Sequence, residues 1–524
     1  MARFGFGGST WDISHVDPPW ETRPSIYHHV VAHVSDDELP DEARIRENTG
    51  FGYVPGAFDG AVGHHGGGGA ADEIAEEVFH ALDALTRKST SDRARVLYRT
   101  LSEHHALDFL DALLELLVEN EAIDPDRLHA VAHWLATQAA DREAVKVAIA
   151  ILGVFTGDQD RDLFLAVGRH EEFTLYASVA LLHTGAGNER DLWQLGRHVA
   201  GWGRIHIIER LADTQDEHIK AWLLREGYHN TVMDEYTSLL CARTGGLLDA
   251  LRLPEPDDAL LRGAGAILSA LIAGRDGPAA GMESYPDGAE ATELYLRHLQ
   301  ERHTDLEHFV ATGTITGFLN EDEGEVHDEQ SGWPQRRPVL LQLANRILSK
   351  SDWEEQVWRG LSSNDPESFF TASQAARVLG LDIWEAYFER LQRGEDSWFD
   401  VVQTDDPERI KRVITLAEER LDLNAIAVGP AEQLGLGPDF RDHTALNFVL
   451  QVLTRLPGRG WPLIRAGLRS PVIRNRNVAI RALAAWDRDL WPSEAKGLMH
   501  QAAAEEPNDD TRELLTRVVK GEAI

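Results

Sequence analysis

The sequence predicts an all-α protein, a solenoid of stacked helix pairs preceded by an irregular arm. Three observations carry that expectation. From Ala70 onward apolar residues recur at the 3.6-residue helical period, with almost no alternation of the kind a half-buried strand needs. Helix pairs begin near Asp141, Glu171, Trp202 and Asn230, a spacing of about 30 residues. Small residues stand inside the apolar stripes of those pairs, Ala148 and Ala150 before Leu152, then Ala177 and Ala180 before Leu181, so neighbouring helices can approach closely. An isolated pair cannot bury both its faces, whereas stacked pairs can, which is why such a period means a solenoid.

Residues 1–69 differ from the rest. They are rich in Gly, Pro and aromatics, and Pro18, Pro19, Pro24, Pro40 and Pro55 forbid a long helix, leaving room for a short one at 25–34. This segment reads as an arm or linker, with Phe4, Phe6, Trp11, Trp20, Phe51 and Tyr53 as the side chains that dock it on the body or on another protein. Gly66–Gly69 lacks the Lys-Ser/Thr ending of a phosphate loop and reads as flexible linker.

Caps and breakers place the helices that follow. One covers 70–88, the next is capped by Ser91, and a third covers 106–119. Asp124 caps another, with Pro125 in the first turn, where its missing N–H costs nothing. Asp141 caps the apolar run that ends at Phe155. The pattern weakens after Pro254 and Pro256: 257–274 is helical, 274–288 a loop, and 288–300 and 304–316 helical again. Residues 320–335 are acidic and without apolar period, which marks a loop or boundary. Beyond it helices are expected at 338–350, 352–361, 366–379, 383–393 and 406–421, then a break at 429–439. The last ones cover 444–456, 461–468, 471–486 and 493–505, with a tail helix near 510–520. The expected organisation is an arm (1–69), a helical solenoid (70–319), an acidic loop (320–337) and a C-terminal helical region (338–524).

Charge narrows the partners. With 51 basic against 87 acidic residues the net charge is −36, a field that repels nucleic-acid phosphates and anionic membrane surfaces. No apolar run approaches the ~20 residues of a membrane helix, and the first residues hold no apolar stretch of a secretory signal. A single cysteine, Cys241, excludes intrachain disulfides and Cys-built zinc sites and fits a reducing cytoplasm. The adjacent pairs His64-His65 and His104-His105 project about 100° apart on a helix and do not chelate together. Glu226–His229 has the spacing of one di-iron helix, but no matching second helix is evident. Neither a metal nor a cofactor is expected, and the chain reads as soluble and cytoplasmic.

The run 471–486, PVIRNRNVAIRALAAW, resembles the second-helix consensus of HEAT repeats: a β-branched residue, an Arg, an Asn, then spaced alanines and Leu483. The units between Asp141 and Gly246 resemble shorter HEAT-like repeats, and the likeness extends over 70–252 and 441–520. GWGRIHIIERL (201–211) followed by IKAWLLREGYHNTVMDEY (219–236) is similar to bacterial HEAT-like proteins, some of which are labelled limonene hydroxylase. A hydroxylase implies haem, flavin or non-haem iron to activate oxygen. No dinucleotide fingerprint stands in the sequence, and SLLCARTGG does not look like a loop that supplies a haem-thiolate ligand.

The stretch 201–246 concentrates large polar side chains. In the helix at 203–212, Ile205, Ile208 and Leu211 form the buried stripe, while His206, Glu209 and Arg210 share another face. His218 and Trp222 are neighbours one turn apart, and Asp234, Glu235 and Tyr236 follow. The candidate binding residues are Trp202, Arg204, His206, Glu209, Arg210, His218, Trp222, Arg225, Glu235 and Tyr236. The expected function is a non-catalytic HEAT-like binding or scaffold protein that holds a protein or peptide on its concave face, with aromatic and Arg side chains as anchors. The alternative is an enzyme using the same groove, a hydroxylase as that label implies, or a DNA glycosylase of the HEAT-like family that excises alkylated bases. For the latter, Trp202, Arg204, Trp222, Arg225 and Asp234 offer the residue types, and Arg465, Arg469, Arg474, Arg476 and Arg481 form the best basic cluster elsewhere. The plain structural reading makes the same residues inter-repeat salt bridges and exposed helix faces, with Cys241 a small buried hydrophobe.

Overall fold

The computed structural model describes residues 11–32, 56–60, 71–120, 123–155, 158–183, 187–275, 277–302, 304–321, 332–350 and 352–522. The protein is all-α. Among the described residues the only β pairing is one isolated parallel bridge, Gln433 to Val472. The chain divides into two compact units, one ending at Trp353 and one beginning at Glu354.

The first unit opens with α1 (Ile26–Ala32), followed by α2 (Ala71–Arg87), α3 (Ser91–Glu103), α4 (Leu110–Glu119) and α5 (Pro125–Gln138). Then come α6 (Arg142–Val154), α7 (Arg161–Val167), α8 (Glu171–Leu182), α9 (Asn188–Gly196) and α10 (Trp202–Arg210). The series continues with α11 (Glu217–Trp222), α12 (Glu235–Thr244), α13 (Leu247–Leu251), α14 (Asp258–Gly274), α15 (Gly288–Gln300), α16 (Leu306–Leu319) and α17 (Trp333–Leu348). Helices α6, α8, α10, α12, α14 and α16 pack side by side in that order, while α7, α9, α13 and α15 form their partners. Many helices packed in a row is the arrangement of a solenoid-like fold.

The small residues work at the contacts. A β-carbon on Gly153 of α6 would lie 2.8 Å from that of Ala180 on α8, and one on Gly168 would lie 2.9 Å from that of Ala177. Ion pairs about one repeat apart tie successive units: Arg161 grips both oxygens of Asp191, and Arg225 grips Asp257.

The caps explain where the boundaries move. Asp124 accepts from the N–H groups of Asp126 and Arg127, as its position before Pro125 implies. Ser91 lies inside α3 instead of capping it, and its hydroxyl bonds Asp17. Asp141 stands at the N-cap of α6, but its side chain makes no cap bond; both its oxygens bond Arg23, at 2.7 and 2.8 Å. The helix expected at 106–119 breaks at Phe109 into a 3-10 turn and α4. Asn230 opens no helix. Its side chain staples a turn by accepting from Val232 and Met233 and donating to the Met233 carbonyl, so α12 starts at Glu235. Between α11 and α12, Leu223–Gly227 closes as a π-turn in which Tyr228 N–H donates to the Leu223 carbonyl at 3.2 Å. Gly263 of α14 meets that turn so closely that a β-carbon would lie 1.9 Å from the Leu224 oxygen. α17 begins at Trp333 and carries Pro338 within it, earlier than the sequence suggests.

The 11–32 segment docks on the body. Trp20 packs against Tyr98 and Trp134, with ring centroids 5.2 and 4.7 Å away. Trp11 Nε1 donates to the Leu85 carbonyl, and Ile26 N–H to that of Ala139. Phe4, Phe6, Phe51, Tyr53, His64, His65 and Gly66–Gly69 lie outside the described residues.

In the second unit, helices Pro366–Leu379, Trp384–Gln392, Pro407–Arg420, Arg441–Leu453, Trp461–Gly467, Ile473–Ala484, Ala495–Glu505 and Asp509–Lys520 follow the expected order. Short helices at Trp398–Val402 and Leu423–Ile426 join them, too brief for a periodic signal. Ile473–Ala484 carries Arg476, 1% exposed and paired in two bonds with Glu506, also 1% exposed. Its remaining donor bonds the carbonyls of Ala431 and Ser470. Arg474 bonds the Gly435 carbonyl and Thr444. Arg474 and Arg476 of the basic cluster therefore brace the 431–435 loop, and Arg476 presents nothing to a surface.

Removing one partner of a desolvated pair strands the other. Arg476→Ala is expected to destabilise the second unit by about 3–5 kcal/mol, while Arg476→Met with Glu506→Leu recovers most of the loss. Denaturant unfolding read by hydrogen exchange in Ile473–Ala484 tests both.

Candidate functional site

The stretch 201–246 divides among separate tasks. Arg204 is a clamp: Nε donates to the carbonyls of Gly196 and Val199, and Nη1 to that of His229. Burial lowers its pKa from the ordinary value. Arg210 donates to the His206 carbonyl, and burial lowers its pKa too. His206 is 6% exposed, inside the packing and 3.5 Å from Glu209. Ile205, Ile208 and Leu211 are buried, as their stripe implies. His218 is 88% exposed while Trp222, one turn on, is buried against Gly196 and Gly227. Arg225 belongs to the inter-repeat pair with Asp257. Glu235 opens α12, where a carboxylate favours the positive helix end. Of the ten candidates, Trp202, His206 and Tyr236 come together, with Trp202 6.3 Å from His206 and 5.4 Å from Tyr236 between ring centroids. Cys241 is fully buried, and burial pushes its thiol far above the ordinary range.

Trp202 leads to a second group of residues. A helical turn at 57–60 crosses α6, α8 and α10 with Gly60 flat against the Trp202 ring, where a β-carbon would lie 2.2 Å away. At its other end Gly56, at φ +74°, meets the Glu171 carbonyl, and its N–H donates to Glu172 Oε2 at 2.9 Å. Phe58 stacks on His105 at 4.4 Å. Asp59 enters the interior, 3% exposed. Its Oδ2 lies 2.8 Å from Lys146 Nζ and accepts from the Tyr176 hydroxyl at 3.2 Å.

Lys146 is the centre of this group. It is 2% exposed in the middle of an apolar helix and touches three carboxylates: Asp59, Glu143 at 3.0 Å and Glu172 at 2.6 Å. Arg142 adds a second cation 3.2 Å from Glu172, and His105 stands 4.0 Å from Glu143. Burial alone would discharge such a lysine. Here Glu172, Glu143 and Asp59 outweigh burial and hold the ammonium well above its ordinary value. Burial likewise works to raise Glu143, but His105 and Lys146 prevail and hold it at about 2. Glu172 is lowered by Lys146 and Arg142 against burial. Glu143 raises His105 above the usual imidazole value. Three carboxylates share two permanent cations, and the deficit falls on Asp59, which burial raises despite Lys146. Asp59 Oδ1 has no hydrogen-bond partner among the described residues. A buried oxygen left so costs about 1–3 kcal/mol.

Next to this cluster Glu171 bonds the backbone N–H groups of Ala200, Gly201 and Gly203 at 2.7, 2.7 and 2.6 Å, a carboxylate on the N-terminus of α10. Gly203 permits the approach, since a β-carbon there would lie 2.6 Å from the Thr174 hydroxyl. On the outer part of α5, His129 Nε2 lies 2.6 Å from Asp160, and His133 Nε2 4.0 Å. Among the described residues no group of three or more His, Cys, Asp or Glu is arranged to hold a metal ion. Among the same residues no helix is long and apolar enough to cross a membrane.

Comparison with known proteins adds little. A scan against protein-family models found no match, and neither did a search of curated proteins. Among solved structures, the chain is similar to an engineered protein from the Northeast Structural Genomics Consortium at 16% identity, over 85% of this chain and 98% of that one. The TM-score is 0.20, which supports no inference about fold or function.

Neither Lys146, Glu143, Glu172 nor Asp59 stands out by motif. One signal was available: a lysine in the middle of EAVKVAIAILGVF, where helical period turns it inward.

Two outcomes are expected. Glu143 has a folded pKa of about 2 against an ordinary 4.5, so its contribution to stability is complete above about pH 4.5 and is lost as pH falls towards 2. At ~1.4 kcal/mol per unit this is on the order of 3 kcal/mol. Glu143→Gln should remove about that much at neutral pH and flatten the acid limb, as read by denaturant midpoints across pH. Cys241 should be inert to an aromatic disulfide reagent in the native protein and react with one equivalent in denaturant, because both its burial and its raised pKa deny a thiolate.

Proposed function

We propose that this is a non-catalytic, HEAT-like binding or scaffold protein that holds a protein or peptide partner on the face formed by α6, α8 and α10. One observation carries the reading: that face already receives a short peptide turn, the chain's own 56–60. It does so with the means of peptide recognition, a carboxylate for a main-chain N–H, a buried cation for a side-chain carboxylate, and aromatic surfaces for a ring and a glycine. The row of packed helix pairs and the ion pairs between repeats support the HEAT-like description. The state of the two buried reactive side chains supports a binding role over an enzymatic one. Lys146 stays protonated and encircled by carboxylates, and Cys241 is packed and protonated.

The test is an array of immobilised short peptides probed with the full-length protein. A defined subset should retain it, and the same peptides in solution should compete. The reading fails if no peptide or protein ligand is retained, or if the purified protein carries a stoichiometric chromophore or metal.

A further inference from the structure

We propose that the Lys146 pocket is a receptor for a carboxylate-bearing peptide turn, that residues 56–60 occupy it in cis, and that the partner is a peptide presenting the same chemistry, an aromatic-Asp-Gly turn, which displaces them. This rests on the peptide-binding reading above and specifies its ligand.

The pocket has separable parts, each contributed by the body and each answered by one residue of the turn. Glu172 takes the Gly56 N–H, His105 takes the Phe58 ring, Lys146 and Tyr176 take the Asp59 carboxylate, and the Trp202 ring takes the flat face of Gly60. Within the turn itself the Gly60 N–H donates to the Gly56 carbonyl at 2.9 Å, and the Phe58 and Asp59 side chains look to the body for partners. The partners are more than 40 residues away in sequence, so the turn is recognised as a separate ligand would be.

The fit is good in shape and incomplete in hydrogen bonding. Asp59 is 3% exposed, and its Oδ1 reaches no partner among the described residues. A group buried with half its acceptors unpaired is held less tightly than one that pairs them all. A turn in trans can settle both oxygens of its carboxylate on Lys146 and Tyr176. The ammonium at the vacated position, and not the net charge of the pocket, favours this occupant. With Asp59 withdrawn the pocket keeps Lys146 and Arg142 against Glu143 and Glu172, and the vacated position faces an ammonium. A cationic side chain would repel that ammonium, and a neutral one would offer it at most an uncharged oxygen, a weaker partner than a carboxylate.

The probe is a fluorescent synthetic peptide, YVPGAFDGAVG, matching residues 53–63, with a second peptide carrying Asn in place of the Asp. Gly60→Leu drives a side chain into the Trp202 ring and evicts the resident turn. The full-length Gly60→Leu protein should bind the Asp peptide about tenfold or more tighter than the wild type does, and the Asn peptide about tenfold or more weaker than the Asp peptide. Equal binding of the two peptides, or binding of neither by a variant whose helix content and thermal transition are retained, overturns the proposal. Should Gly60→Leu not fold, the wild type decides: hydrogen exchange at 57–60 must accelerate in excess Asp peptide and not in excess Asn peptide, and unchanged exchange overturns the proposal. If the peptide array still retains the protein when these measurements fail, the ligand is wrong and the binding role survives.

Discussion

A protonated lysine inside the helical row is the constraint that α6, α8 and the 57–60 turn answer to. An ammonium removed from water must be surrounded by acceptors or give up its proton. Lys146 keeps its charge because α6 supplies Glu143, α8 supplies Glu172 and the 57–60 turn supplies Asp59. Those acceptors in turn require Arg142 and His105 nearby. Apolar packing alone would let neighbouring helices slide along their ridges. A charge with named partners on two helices and a distant turn permits one alignment, and it brings Gly60 against Trp202 as part of the same fit. Buried ion clusters of this kind need add little net stability to do so, since desolvation takes back much of what attraction supplies.

Much of the architecture was legible in the sequence because it depends on local rules. Asp124, Asp257 and Asp406 cap helices by accepting from the backbone ahead of them, and the spacing of small residues foretold how closely α6 and α8 approach. Two of the errors share one cause: a side chain able to cap also had a distant partner. Ser91 answers Asp17, and Asp141 answers Arg23. The candidate site was less legible. Polar residues in 201–246 cluster in sequence, yet in space Arg204, Arg210 and Arg225 turn to carbonyls and to Asp257. The residues that do converge come from 56–60, α6 and α8, spread over more than a hundred positions, and each alone looks ordinary.

The arginines make the same point about charge. A net charge of −36 suggests a surface that repels anions, and many of the cations that remain are engaged by groups of the same chain, some buried and some on the surface. Arg476 is wholly buried, and Arg412 lies over the rings of Trp384 and Phe388 while bonding Glu385. Arginine suits these places because its planar group stacks and forks at once.

The π-turn at Leu223–Gly227 constrains a residue of a different helix. Such a turn takes up one residue more than an α-turn while leaving the flanking helix in phase. The extra residue displaces the Leu224 carbonyl towards α14, into space that only a glycine at 263 leaves open. Turn and glycine therefore form one steric unit: any side chain at position 263 requires the Leu224 carbonyl, and the π-turn that presents it, to move.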